Sequence, residues 1–231
     1  MNTLILILKN DSLFDQLNFE EYLDSLEELF NQSQIFILNC TQINFITKNS
    51  KNVQMVNVTQ LDSDLNVYST IISILNSIAK QSNNYVIISE MNKVSFERNP
   101  FSYFDHFKND LYFCNQGHIQ NESSKTKDNY SNFVKTCSYF IGKEYDCISV
   151  GQQFFGGTYD SIKFLTLMLF LETNRNSANI INVQSVLTYM LPNISALYKV
   201  KLLDNLFYKI KLNQNLNNSD SIKPYIFIKP K

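Results

Sequence analysis

The strongest constraint on this chain is a set of short, unbroken apolar runs. Residues 3–8 read Thr-Leu-Ile-Leu-Ile-Leu, residues 35–38 Ile-Phe-Ile-Leu and residues 85–88 Tyr-Val-Ile-Ile. A strand with one wet face alternates apolar and polar residues. A strand that is apolar throughout must be covered on both faces, as in parallel sheets sandwiched between helices. The segments between these runs have a helical period instead. Phe19, Tyr22, Leu23, Leu26, Leu29 and Phe30 share one helix face, while Glu20, Glu21, Asp24, Glu27 and Glu28 make a solvated opposite face. Val53, Met55, Val56 and Val58 predict a third strand. Tyr68, Ile71, Ile72, Leu75 and Ile78 predict a second amphipathic helix, with Asp62 or Ser63 as its N-cap.

Further along, Leu111–Cys114 and Asp146–Phe155 read as strands on either side of a polar loop, 115–132, and a short helix, Asn132–Phe140. Thr158 is placed to cap a strong helix, Tyr159–Leu171. Asn182–Met190 reads as another helix, ended by Pro192. Lys199–Leu203, Phe207–Leu212 and Tyr225–Ile228 are strand candidates. The expectation is an α/β fold with a mixed, mainly parallel sheet flanked by helices. No repeat or linker interrupts it, so residues 1–231 are read as a single domain.

Composition removes several function classes. A net charge of −1 with scattered lysines gives no basic face for nucleic acid. The first ten residues, MNTLILILKN, read as a strand rather than a signal peptide, and no run approaches the ~20 apolar residues of a membrane helix. No membrane span and a cytoplasmic location are expected. Cys40, Cys114, Cys137 and Cys147 form no C-x-x-C pair, and with only His106 and His118 beside them they predict free thiols rather than a structural zinc site.

In parallel sheets, ligands bind beyond the carboxyl ends of the strands. Two such ends stand out. One is Ser89-Glu90-Met91-Asn92-Lys93. The other is Gly151-Gln152-Gln153-Phe154-Phe155-Gly156-Gly157, which holds three of the chain's five glycines. Such clustering signals positive φ or a close approach where a Cβ would clash. The close approach would be a tight turn into the helix capped by Thr158, or a ligand against bare backbone. Gln152 and Gln153 could hydrogen-bond a sugar or a base, or face solvent. Arg98-Asn99-Pro100-Phe101 reads as a structural anchor, and His118 as a loop residue. There is no G-x-G-x-x-G, no phosphate loop with Lys-Ser/Thr and no G-x-S-x-G.

Three pieces of the chain, in order, carry a resemblance: NYVIISEMNKVSFERNPFSYF at 84–104, DLYF at 110–113 and GQQFFGGTYDSIKFL at 151–165. Together they resemble GT-A-fold nucleotide-sugar glycosyltransferases, in which a strand reads like YDYVLLTDxRDVVFQRDPF, followed by DLY and NAGIIGGSYD. The likeness covers about residues 66–192, and it implies a GT-A-like (Rossmann-like) fold. It also implies sugar transfer from a nucleotide sugar, a UDP-sugar among the candidates, to a hydroxyl on a glycan or protein acceptor.

The departures fall where that family holds its divalent cation. Glu90 matches the first metal-binding Asp. Lys93 matches the second and cannot ligate, so Mn²⁺ or Mg²⁺ is disfavoured and no metal ligand is assigned. The expectation is therefore a metal-independent or impaired transferase, with a non-catalytic pseudo-glycosyltransferase scaffold as the alternative. Glu90 and Lys93 are the candidate catalytic residues, Lys93 supplying positive charge to the diphosphate. Asn92, Gln152, Gln153, Gly156 and Gly157 are the candidate substrate-binding residues.

Overall fold

The apolar runs become the centre of a sheet. The computed structural model describes residues 1–9, 16–41, 43, 45, 52–58, 64–78, 84–91, 94–96, 98–118, 124, 127–131, 148–175, 183–203 and 228–229. Strand β1 (Thr3–Leu8) is buried at every position. It lies between β2 (Gln34–Asn39) and β4 (Tyr85–Glu90), parallel to both. Strand β3 (Val53–Asn57) extends the sheet beyond β2, also in parallel.

On the far side of β4 the sheet continues with β7 (Ile148–Thr158), β6 (Leu111–His118) and β8 (Val200–Leu203). The full order is β3-β2-β1-β4-β7-β6-β8. Strand β7 is antiparallel to β4 and β6, while β6 and β8 are parallel, so β7 alone runs against the other six. The fold is α/β, with a mixed, mainly parallel sheet flanked by helices.

Alternation along the strands divides the core in two. Ile5, Ile7, Phe36, Leu38, Val86, Ile88, Phe113 and Phe155 face one side. There they meet α2 (Asp64–Ser77), α4 (Tyr159–Arg175) and α5 (Val183–Leu197). Leu4, Leu6, Leu8, Ile35, Ile37, Tyr85, Ile87 and Tyr112 face the other side, against α1 (Gln16–Leu29) and α3 (Phe101–Phe107). The solvated acidic face expected on α1 is present: Glu21, Asp24 and Glu28 are exposed, while Phe19, Tyr22, Leu23 and Leu26 are buried.

The RNPF anchor works through two hydrogen bonds. The Asn99 side chain donates to the Leu29 carbonyl at 2.9 Å, and its oxygen accepts the Phe101 N–H at 3.0 Å. Phe101 is 2% exposed. A second, two-stranded ribbon pairs β5 (Ser95–Phe96) with β9 (Ile228–Lys229) in antiparallel fashion. Cys40 and Cys114 are buried thiols.

Three of the boundaries that differ from the sequence reading have a clear physical cause. Strand β6 continues to His118 through residues assigned to the polar loop, because Asn115, Gly117 and His118 pair with Val150, Ser149 and Ile148 across two bulges. Strand β7 runs to Thr158, so the Gly156-Gly157 pair lies inside a strand and not in a turn. Helix α5 passes through Pro192 to Leu197, because its buried positions, Val183, Val186, Leu187, Leu191 and Ile194, keep their spacing across the proline. The expected helix at 132–140, the strand at 207–212, Cys137, Cys147 and the Asp62 and Ser63 caps lie outside the described residues, as does the expected strand at 225–228 apart from Ile228.

Candidate functional site

Strand order locates the site before any side chain does. From β1 the chain steps outward to β2 and β3, then returns to place β4 on the opposite flank of β1. The connections leaving β1 and β4 diverge, and such a switch point opens a crevice at the carboxyl ends of the two strands.

Parity then selects the side chains. Lys9 continues the series Ile5, Ile7, and Glu90 continues Val86, Ile88. Both therefore fall on the face that α2 covers. Asp64 stands in the first turn of α2. The Lys9 Nζ lies 3.1 Å from Glu90 Oε1 and 3.4 Å from Asp64 Oδ1. The Glu90 side chain is only 7% exposed, against 39% for Lys9 and 33% for Asp64. A lysine thus bridges a buried carboxylate and a half-buried one.

Burial alone would lower the Lys9 ammonium, but the charges of Glu90 and Asp64 outweigh it and hold the group above its ordinary value. Tyr68, one turn further along α2 and 4% exposed, is raised well above the usual phenol range by burial and then by the same two carboxylates. It is a neutral hydroxyl at the base of an anionic cluster. The three charges sum to −1. The arrangement suits ligands that present hydroxyls or positive charge, and an anionic group needs a further cation.

Met91 and Val94, which follow β4, are held tightly. Met91 donates its N–H to the Ile7 carbonyl at 2.9 Å, and Val94 donates to the Glu90 carbonyl at 3.2 Å. The Tyr22 hydroxyl donates to the Val94 carbonyl at 2.8 Å, and burial pushes that phenol far up. Met91 and Val94 are fully buried. Asn92 and Lys93 sit between them in sequence and lie outside the described residues.

Of the candidates on β7, Gln153 falls at this same edge. Its backbone carbonyl accepts a hydrogen bond from the Ser89 hydroxyl at 3.0 Å, next to Glu90. The backbone of Gln152 is in β7, and its side chain is outside the described residues.

Gly156 and Gly157 lie elsewhere, which corrects their place in the cleft. Because β7 is antiparallel to β4, they pair with Ile87 and Val86, toward the amino end of β4. Protein takes up the space that a side chain would need. A Cβ on Gly156 would meet the Phe104 ring at 2.8 Å and Ile87 Cγ1 at 3.1 Å. A Cβ on Gly157 would come within 2.1 Å of the Asp110 carbonyl oxygen. That carbonyl accepts the Thr158 N–H at 2.9 Å, and the Asp110 carboxylate accepts the Lys199 N–H at 2.8 Å. The Asp-Leu-Tyr piece is thus a junction joining β6, β7 and β8.

Sequence reasoning found Glu90 and missed Lys9, Asp64 and Tyr68. A signal for Lys9 was present: it stands two residues beyond Ile7, as Glu90 stands two beyond Ile88. Using it required knowing that β1 and β4 are neighbours in register. Among the described residues no group of three or more His, Cys, Asp or Glu could hold a metal ion.

A cavity of about 410 Å³ lies at the opposite edge of the sheet, lined by Met1, Gln34, Phe36, Gln54 and Asn84 among others. It lies at the amino ends of the parallel strands, so the carboxyl edge is the better candidate. Among the described residues no helix is long and apolar enough to cross a membrane. The chain matches no model of a known protein family and no curated protein.

Proposed function

We propose that the chain is a GT-A-like domain that binds a nucleotide sugar at the carboxyl edge of β1 and β4 without a divalent cation. If catalytic, it transfers the sugar to a hydroxyl acceptor. The observation that carries this reading is the ion pair of Glu90 with Lys9. Glu90 corresponds by resemblance to a metal-binding carboxylate, and a lysine ammonium already neutralises it 3.1 Å away. The strand order with its switch point at β1 and β4 supports the same reading. In this mechanism Glu90 and Asp64 accept hydrogen bonds from ribose or sugar hydroxyls, Lys9 fixes their geometry, and Lys93 adds the positive charge that a diphosphate requires at a cluster of net charge −1.

A pseudo-glycosyltransferase that keeps the fold for binding or scaffolding is the second reading. It is favoured by the same pair, because a carboxylate held by an internal lysine is not free to act as a base.

Thermal unfolding with UDP, GDP and their sugars, with and without Mn²⁺, tests both readings. A ligand at about 100 times its Kd stabilises by about 2.7 kcal/mol. At this chain length that raises the Tm by roughly 5–10 °C. The proposal expects a shift that does not depend on Mn²⁺ and that Lys93→Ala removes. A shift that needs Mn²⁺ would overturn metal independence. No shift with any nucleotide would leave the scaffold reading.

A further inference from the structure

The outward face of α4 differs from those of α1 and α2. Helix α1 exposes Glu21, Asp24, Ser25 and Glu28, and α2 exposes Ser73, Asn76 and Ser77. Helix α4 exposes Leu167 at 44% and Leu171 at 47%, with Phe164 half-buried beside them. Its inward face is already satisfied by Ile162, Leu165, Thr166 and Leu169. A helix that is apolar on both sides is normally covered on both. The patch extends sideways: the Phe164 ring lies 5.6 Å from that of Tyr198, and the adjacent Leu197 is 69% exposed.

The order of residues along this face identifies what covers it. Asp160, Phe164, Leu167, Leu171 and Arg175 follow one another at helical spacing on a single stripe, acid at the start, base at the end and apolar between. Reversed and laid against itself, the stripe sets Asp160 opposite Arg175 and Phe164 opposite Leu171, with Leu167 near the two-fold axis. Such self-complementarity is what an isologous contact requires. An apolar centre with charges only at the rim is the usual anatomy of an interface.

We propose that α4 is a homodimer interface, in which two copies of this chain pack their α4 helices antiparallel. Phe164, Leu167 and Leu171 form its centre, and Asp160 of each copy pairs with Arg175 of the other. The site at β1 and β4 plays no part in this proposal.

Sedimentation equilibrium of the full chain tests it. The expected result is a reversible shift to twice 26.9 kDa with a micromolar or tighter Kd. Leu167→Glu changes an exposed residue and should leave the fold intact by circular dichroism. It should weaken association at least tenfold. Asp160→Arg should weaken it, and Asp160→Arg combined with Arg175→Asp should restore it. A wild-type chain that stays monomeric would overturn the proposal, as would a dimer indifferent to Leu167→Glu. A dimer in which the charge swap does not rescue the single variant would overturn the antiparallel pairing.

Discussion

At the scale of single residues, the two glycines of β7 make a graded prediction. Overpacking a tight site costs about 1–3 kcal/mol, and more when the obstacle is backbone. Gly157→Ala drives its Cβ into the Asp110 carbonyl, which cannot move without breaking its bond to Thr158. Gly156→Ala presses on the Phe104 ring, which stacks on Tyr112 at 3.9 Å. Both should destabilise, Gly157→Ala more, with neither altering ligand affinity per folded molecule; urea denaturation with nucleotide titration checks both points. Lys9 allows a second prediction. Breaking a buried pair costs about 3–5 kcal/mol, but Lys9 is 39% exposed, so Lys9→Met should cost about 1–2 kcal/mol. Adding Glu90→Gln should recover part of that loss, because the double variant no longer buries an unpaired charge. A double-mutant cycle measures the coupling, and strict additivity would refute it. The chemistry at this scale was half legible. Glu90 stood out as a polar residue ending an apolar strand. The glycines stood out too, but the atoms that exclude a side chain there come from residues more than forty positions away in the chain, and no local pattern records them.

At the scale of elements, α5 shows where local rules yield to packing. Proline inside a helix removes the hydrogen bond to the carbonyl four residues back and crowds it, so the sequence reads as a helix ending at Pro192. The helix continues because Leu191 and Ile194 extend the buried face begun by Val183 and Val186. Pro192 itself is exposed, so Pro192→Ala restores a backbone bond and loses no core contact. It should stabilise by about 1–2 kcal/mol, after allowing for the greater freedom that alanine gives the unfolded chain. A higher urea midpoint with an unchanged slope is the expected readout. An unchanged or lower midpoint would mean that the helix needs its proline. Strand β1 was legible to its ends, and β2 and β4 to within two residues, since burial on both faces leaves an apolar run. The end of β6 was not, because Asn115, Gln116, Gly117 and His118 have no strand signal of their own. Asn115, Gly117 and His118 become strand through their pairing with β7.

At the scale of the whole molecule, the alternation of elements disclosed a sheet covered on both faces, and the structure bears that out. It did not disclose that β7 runs backwards, because strand direction depends on how the segment between β6 and β7 returns, not on the strand's own residues. The covered sheet has a consequence for pH. The chain has no Trp and 13 Tyr, and among the described residues Tyr22, Tyr68, Tyr85, Tyr103, Tyr112, Tyr130, Tyr159 and Tyr189 are buried. Tyr22, Tyr68 and Tyr112 are buried, and burial raises each phenol above its ordinary value. These groups stay neutral in the folded chain, whereas in the unfolded chain they ionise near pH 10. The unfolded state therefore binds fewer protons above that pH, and stability must fall as pH rises. Lys9 acts in the same direction: its raised pKa contributes stability that is complete below about 10.5 and lost as pH passes upward through the native value. Stability should thus drop steeply above about pH 9.5. Tyr68→Phe, which removes one of these phenols from the core, should make the drop shallower. Urea midpoints between pH 7 and 11, followed together with tyrosinate absorbance, test this directly. Tyr22, Tyr68 and Tyr112 should ionise only as the chain unfolds; if they ionised while the fold persisted, they would not be packed between sheet and helices as described.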